Sequence, residues 1–118
     1  MDDLELLTWE RGALDHLAMA SGPLESTVRE QLRHCAVVCR EHTGVGFYTS
    51  LRVEGQTALL PDGTTIDGAW GRIRGLDHEV GFVLFSNKGF ISLLEAFANG
   101  DDRWPMDEPE LVECWIRS

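Results

Sequence analysis

The chain has 118 residues, with 20 acids against 10 bases and a formal net charge of −10. That balance argues against a nucleic-acid binder, because phosphates repel an acidic surface, and equally against docking on anionic lipid. The length fits a single domain, residues 1–118, large enough to fold without a metal or a disulfide. No apolar run approaches the roughly 18 residues that span a bilayer. The opening Met1-Asp2-Asp3 is acidic where a secretory signal is basic, so a cytoplasmic location is the expectation. Cys35, Cys39 and Cys114 are odd in number, which leaves no complete disulfide framework and predicts free thiols.

In chain order, Leu7, Leu14, Leu17 and Ala18 fall near one face of a helix over 4–20. Glu10, Arg11 and Asp15 lie off that face, and Thr8 offers a cap. Ser21-Gly22-Pro23 ends this element, and Pro23 suits the first position of a second helix. Val28, Leu32, Cys35, Ala36 and Cys39 continue at helical spacing and predict that helix over 23–42, stopped by Thr43-Gly44. The period then changes to two. Val45, Phe47, Thr49, Leu51 and Val53 alternate with smaller or polar residues, as in a half-buried strand. Thr57–Leu60 reads as a short strand closed by the Pro61-Asp62-Gly63 turn, and Ala69–Ile73 as a weaker one. Val80–Phe85 and Phe90–Phe97 flank Asn87-Lys88-Gly89, which fits a three-residue hairpin loop with glycine in the left-handed region. Asn99–Asp107 is a polar loop. The tail, Leu111–Ile116, is open to two readings: Asp107 with Glu110 resembles a helix start, and the alternation of Val112, Cys114 and Ile116 reads as a last strand, the preferred reading. Helices first and strands afterwards predict an α+β fold, with N-terminal helices on one face of an antiparallel sheet of four to six strands.

The chemistry-bearing residues favour plain structural readings. On a helix, Cys35, Cys39 and His42 would share one side with His34 nearby, a donor set zinc accepts. Three ligands from one helix do not complete a tetrahedron, however, and both cysteines sit on the apolar stripe. No metal and no cofactor is expected. Gly44-Val45-Gly46 runs from helix into strand, opposite to a phosphate loop, and lacks its lysine. Glu95 interrupts an apolar strand, where it either acts as an acid or base or pairs with Arg72 or Arg74. No catalytic set emerges, so enzymatic activity is not the leading expectation. Trp104, among Asp101, Asp102, Arg103 and Pro105, is either an interface anchor or a core cover.

Two stretches, CREHTGVGFYT at 39–49 and GFVLFSNKGFISLLEAFANGDDRWP at 81–105, resemble small uncharacterised bacterial proteins with a TGVGF[FY]T strand and a later LE, GD, WP signature. Some of those are thought to act as immunity proteins in toxin systems. The resemblance implies an α+β fold without catalytic residues, and it points to Leu94-Glu95 and Trp104-Pro105 as positions for binding.

The charge is unevenly placed. Residues 1–25 hold six acids and one base, and residues 95–118 hold seven acids and two bases. If the two ends meet, they form one negative face able to steer a cationic partner. The leading expectation is therefore a non-enzymatic binding domain, in its specific form an immunity protein that neutralises a basic toxin. Its binding residues would be Glu95, Asp101, Asp102, Trp104, Asp107 and Glu108. The alternative is a small-molecule-binding or enzymatic domain with a pocket between helix and sheet, using Glu95, His34 and His42. A homodimer pairing sheet faces or edges is the third reading.

Overall fold

The computed structural model describes residues 5–99, 102–105 and 107–117. Helix α1 runs Thr8–Ala20, followed by a 3-10 turn at Gly22–Leu24 and helix α2 at Glu25–Arg33. Six strands follow: β1 Cys35–His42, β2 Gly46–Val53, β3 Thr65–Ile73, β4 Val80–Asn87, β5 Phe90–Ala98 and β6 Leu111–Ile116. They form one sheet in the order β1-β2-β5-β4-β3-β6, with every neighbouring pair antiparallel. Both helices pack on the same face, giving the expected α+β architecture. The molecule measures 40 × 38 × 21 Å, and the short dimension is that of one sheet and one helical layer.

The second helix is shorter than its apolar stripe implied. It stops at Arg33, and residues 35–42 form an edge strand instead. The cause is a bulge: β1 pairs Val37 with Leu51, then skips Val38 and resumes at Cys39 opposite Ser50 and Arg40 opposite Thr49. The extra residue puts Ala36 and Cys39, both members of that stripe, on one face three positions apart, so a bulged strand mimics helical spacing. The turn after it, not a helix end, holds Gly44 at φ +89°. Thr57–Leu60 is not a strand; Leu60 is buried there, and its N–H donates to the Gly89 carbonyl. β3 starts earlier than expected, at Thr65, because a second bulge between Ile66 and Ala69 hides its alternation. The β4–β5 hairpin is tighter than a three-residue loop. Asn87 pairs with Phe90, and Lys88 and Gly89 both take positive φ, +53° and +87°, as a two-residue type I′ turn demands.

Register sorts the sheet into rows. On the helix side, His42, Phe47, Ala96, Phe82 and Ala69 lie across from one another, and beside them Arg40, Thr49, Leu94, Leu84 and Ile66. From α1, Trp9, Ala13, Leu14, Leu17 and Ala18 close this core. Trp9 packs at 5.6 Å from Phe47, 6.3 Å from Phe82 and 5.8 Å from Trp104.

Two buried polar side chains lock the layers together. Glu10 is fully buried, not on the solvated side its position implied. It accepts from the Leu7 N–H at 2.8 Å, the Thr49 hydroxyl at 2.7 Å, and Arg40 at 2.7 Å from Nε and 2.6 Å from Nη2. These bonds raise the Arg40 pKa above its ordinary value and fix the start of α1 to β1 and β2. Gln31, also fully buried, donates to the Ala58 and Gly89 carbonyls and accepts from the Ile91 N–H, each at 2.9 Å. It ties α2 to the β4–β5 hairpin.

Candidate functional site

The opposite face of the sheet carries no helix. Its central row, read across β2, β5, β4, β3 and β6, is Gly46, Phe97, Gly81, Trp70 and Trp115. Beside it run Glu41, Tyr48, Glu95 and Val83, and then Cys39, Ser50, Leu93, Phe85 and Thr65. Trp70, Trp115, Phe97, Val83, Phe85 and Leu93 are all half-buried. The Phe97 ring lies flat over Gly81, where a Cβ would sit 2.3 Å from its Cζ. It meets Trp70 edge-on at 6.0 Å. The Arg117 guanidinium stacks over Trp70 at 5.1 Å and bonds both Glu79 oxygens at 3.0 Å, holding that carboxyl below its ordinary pKa. The β3 bulge at Asp67 and Gly68 opens a groove of about 330 Å³ in this face, between Trp70, Val83, Phe97 and Arg117.

Glu95 stands in the middle of this face, across from Tyr48 and Val83. Its negative charge is the main reason the Tyr48 phenol lies above its ordinary pKa, with burial and a hydrogen bond to Glu95 adding to it. Arg72 and Arg74, the partners foreseen for Glu95, turn instead to Glu113 at 3.9 Å and Glu110 at 2.9 Å.

The other candidate residues lie elsewhere. Trp104 is 3% exposed; its ring packs on Trp9 and on Phe47 at 5.6 Å, and its backbone N–H donates to the Gly44 carbonyl. It is a core residue. Asp102 accepts from the His78 backbone at 2.8 Å and contacts its ring at 3.1 Å, which pins the β3–β4 turn. Asp107 and Glu108 are exposed, and Glu108 lies within the field of Arg40, on the helix side. Asp101 lies outside the described residues. The two ends of the chain do meet, through Trp9 against Trp104 and Gly12 under Leu111. Among the described residues their acids do not form one face. Glu10 is buried with Arg40, Asp15 pairs with Arg29 at 2.7 Å, and Glu95 sits on the opposite side of the sheet from Glu108.

The His34, Cys35, Cys39 and His42 set is dispersed by β1. Cys39 is exposed on the open face, while His42 turns to the helix side. There its Nδ1 accepts from the Gly44 N–H at 2.9 Å, so its Nε2–H donates to the Pro105 carbonyl at 3.2 Å. No group of metal-binding side chains gathers among the described residues.

A second concavity separates α1, α2 and the start of β1. Two adjoining compartments, about 260 and 410 Å³, share Leu6, Arg11, Leu32 and Arg33. Glu95, His34 and His42 do not line it. The polar groups foreseen for a helix–sheet pocket are thus replaced by arginines that sequence reading left among solvated side chains. Their convergence had no local signal, because Arg11 and Arg33 are brought together only by the α1–α2 turn. The open face did leave one: Phe90–Phe97 is apolar at adjacent positions, so both faces of β5 carry apolar side chains.

No protein-family model matches the chain, and neither the curated proteins nor the solved structures contain a match. No helix among the described residues is long and apolar enough to cross a membrane.

Proposed function

We propose that the protein is a non-enzymatic, cytoplasmic binding domain that docks a basic protein partner on the open face of its sheet, as an immunity protein docks its toxin. The observation that carries this reading is the uncovered aromatic row of Trp115, Trp70 and Phe97. Aromatic side chains held rigidly on a strand scaffold supply interface area at low entropic cost and are enriched in interface cores. The charge of the face selects the partner. Glu41 and Glu95 project from it, while its cations Arg52, Arg72 and Arg117 are engaged by Glu54, Glu113 and Glu79. With a net charge of −10, the domain attracts a cationic surface. The short-motif resemblance to small uncharacterised bacterial proteins, some of them thought to be immunity proteins, points the same way.

A photo-crosslinking residue placed at Leu93, on this face, and in a separate variant at Met19, on α1, tests the reading in cells of the source organism. The Leu93 position should capture a basic protein that the Met19 position does not. Equal capture from both positions, no adduct, or an adduct with a second copy of the chain contradicts it.

A further inference from the structure

We infer that the groove between α1, α2 and the start of β1 binds a small amphipathic carboxylate, with its apolar tail on Leu6, Leu14 and Leu32 and its head held by Arg11 and Arg33. The first support is the distribution of charge. In a chain with twice as many acids as bases, Arg11 and Arg33 have no carboxylate partner among the described residues, and both line the same groove. The nearest acids on α1 are already engaged. Glu10, next to Arg11, is bonded to Arg40, and Asp15, one turn on, is held by Arg29, which Glu25 also binds. Two guanidinium groups left on one concave surface repel each other, and an anion between them removes that cost. The planar fork of arginine matches a carboxylate with paired hydrogen bonds.

The second support is shape and lining. The larger compartment, 410 Å³, lies within the roughly 300–1,000 Å³ of small-ligand sites. Half-buried Leu6 and Leu32 line both compartments and buried Leu14 lines the smaller one, so the floor along the α1–α2 seam is apolar while the arginines stand at the exposed rim. The groove runs down to Cys35 and Ala36. The field of Arg11 reaches the Cys35 thiol, where it partly offsets the upward push that burial gives the thiol pKa. Glu5 is the one carboxylate at that end among the described residues, and it disfavours a ligand carrying more than a single charge.

The test is a titration of the full-length protein followed by amide chemical shifts. The probes are sodium octanoate, octyl glucoside (same tail, neutral head), acetate (same head, no tail) and octyl phosphate. Octanoate should saturate at about millimolar concentration or below, with shifts confined to α1, α2 and the first residues of β1. Octyl glucoside and acetate should bind at least about tenfold more weakly. Arg11→Gln and Arg33→Gln, both at exposed positions that leave the core intact, should each weaken octanoate about tenfold. Arg74→Gln, whose arginine pairs with Glu110 elsewhere, should leave it unchanged. An absence of saturable octanoate shifts, or binding unaffected by both groove variants, overturns the inference. Tighter binding of octyl phosphate than of octanoate overturns the assignment of the head group.

Discussion

The clearest energetic consequence of the structure concerns the Arg40–Glu10 pair. Replacing Arg40 with Met removes both charge-assisted bonds from a guanidinium to a carboxylate that is 0% exposed, leaving it only the Leu7 N–H and the Thr49 hydroxyl. Two charge-assisted bonds at about 1.5–3 kcal/mol each give a loss of about 3–6 kcal/mol. The cost of stranding one partner of a buried pair, about 3–5 kcal/mol, agrees. A domain of this length is stable by roughly 6–18 kcal/mol, so the variant folds but sits near its threshold. Glu10→Leu should cost less, because Arg40 is 18% exposed and its head group can swing to water. The double variant should be less unstable than the sum of the two, with a coupling energy of about 2–4 kcal/mol. Urea unfolding of the four proteins at pH 7 measures this. A cost for Arg40→Met under about 1 kcal/mol, the range of exposed pairs, refutes the reasoning, and so does a coupling energy near zero.

Gln31→Glu keeps the size of the buried amide but replaces its donor with an anionic acceptor facing the Ala58 and Gly89 carbonyls. It should destabilise by about 3 kcal/mol or more at neutral pH and recover partly in acid, whereas Gln31→Leu, which strands chiefly the Ile91 N–H, should cost about 1–3 kcal/mol at any pH. Chemical denaturation at two pH values separates the two. Gly81→Val should tip the Phe97 ring off the sheet at a cost of about 1–3 kcal/mol, visible as loss of ring-current shifts at Trp70. With a thiol reagent at pH 8, exposed Cys39 should react first. Cys114 should react slowest, because burial pushes its thiol up to about 11. Peptide mapping of the labelled sites reads the order, and Cys114 labelling ahead of Cys39 would contradict it.

Legibility in the sequence followed from how local each signal was. The β4–β5 hairpin carries its turn residues and apolar runs together, so it was readable apart from the length of its loop. β6 was open between helix and strand, because Asp107 and Glu110 suggested a helix start while Val112, Cys114 and Ile116 alternate as in the strand that forms. β1 was misread as helix because the bulge at Val38 converts a period of two into the three-residue spacing of Ala36 and Cys39. Glu10 looked solvated because its partners, Arg40 and Thr49, are supplied by strands far along the chain. Of the candidate binding residues, Glu95 stands on the face that the aromatic row defines. Trp104 was undecidable from its polar neighbours, and its burial depends on Trp9, which no local pattern brings beside it.

The central claim, that the open sheet face is the binding surface, is tested most directly by charge reversal on opposite sides of the sheet. The measurement is the dissociation constant for the captured basic partner with Glu95→Lys, on the aromatic face, and Glu108→Lys, on the helix side. The account predicts that Glu95→Lys weakens binding at least about tenfold, through lost attraction and new repulsion at a desolvated centre, and that Glu108→Lys changes it by about twofold or less. Equal effects from the two variants, or a larger one from Glu108→Lys, would contradict it.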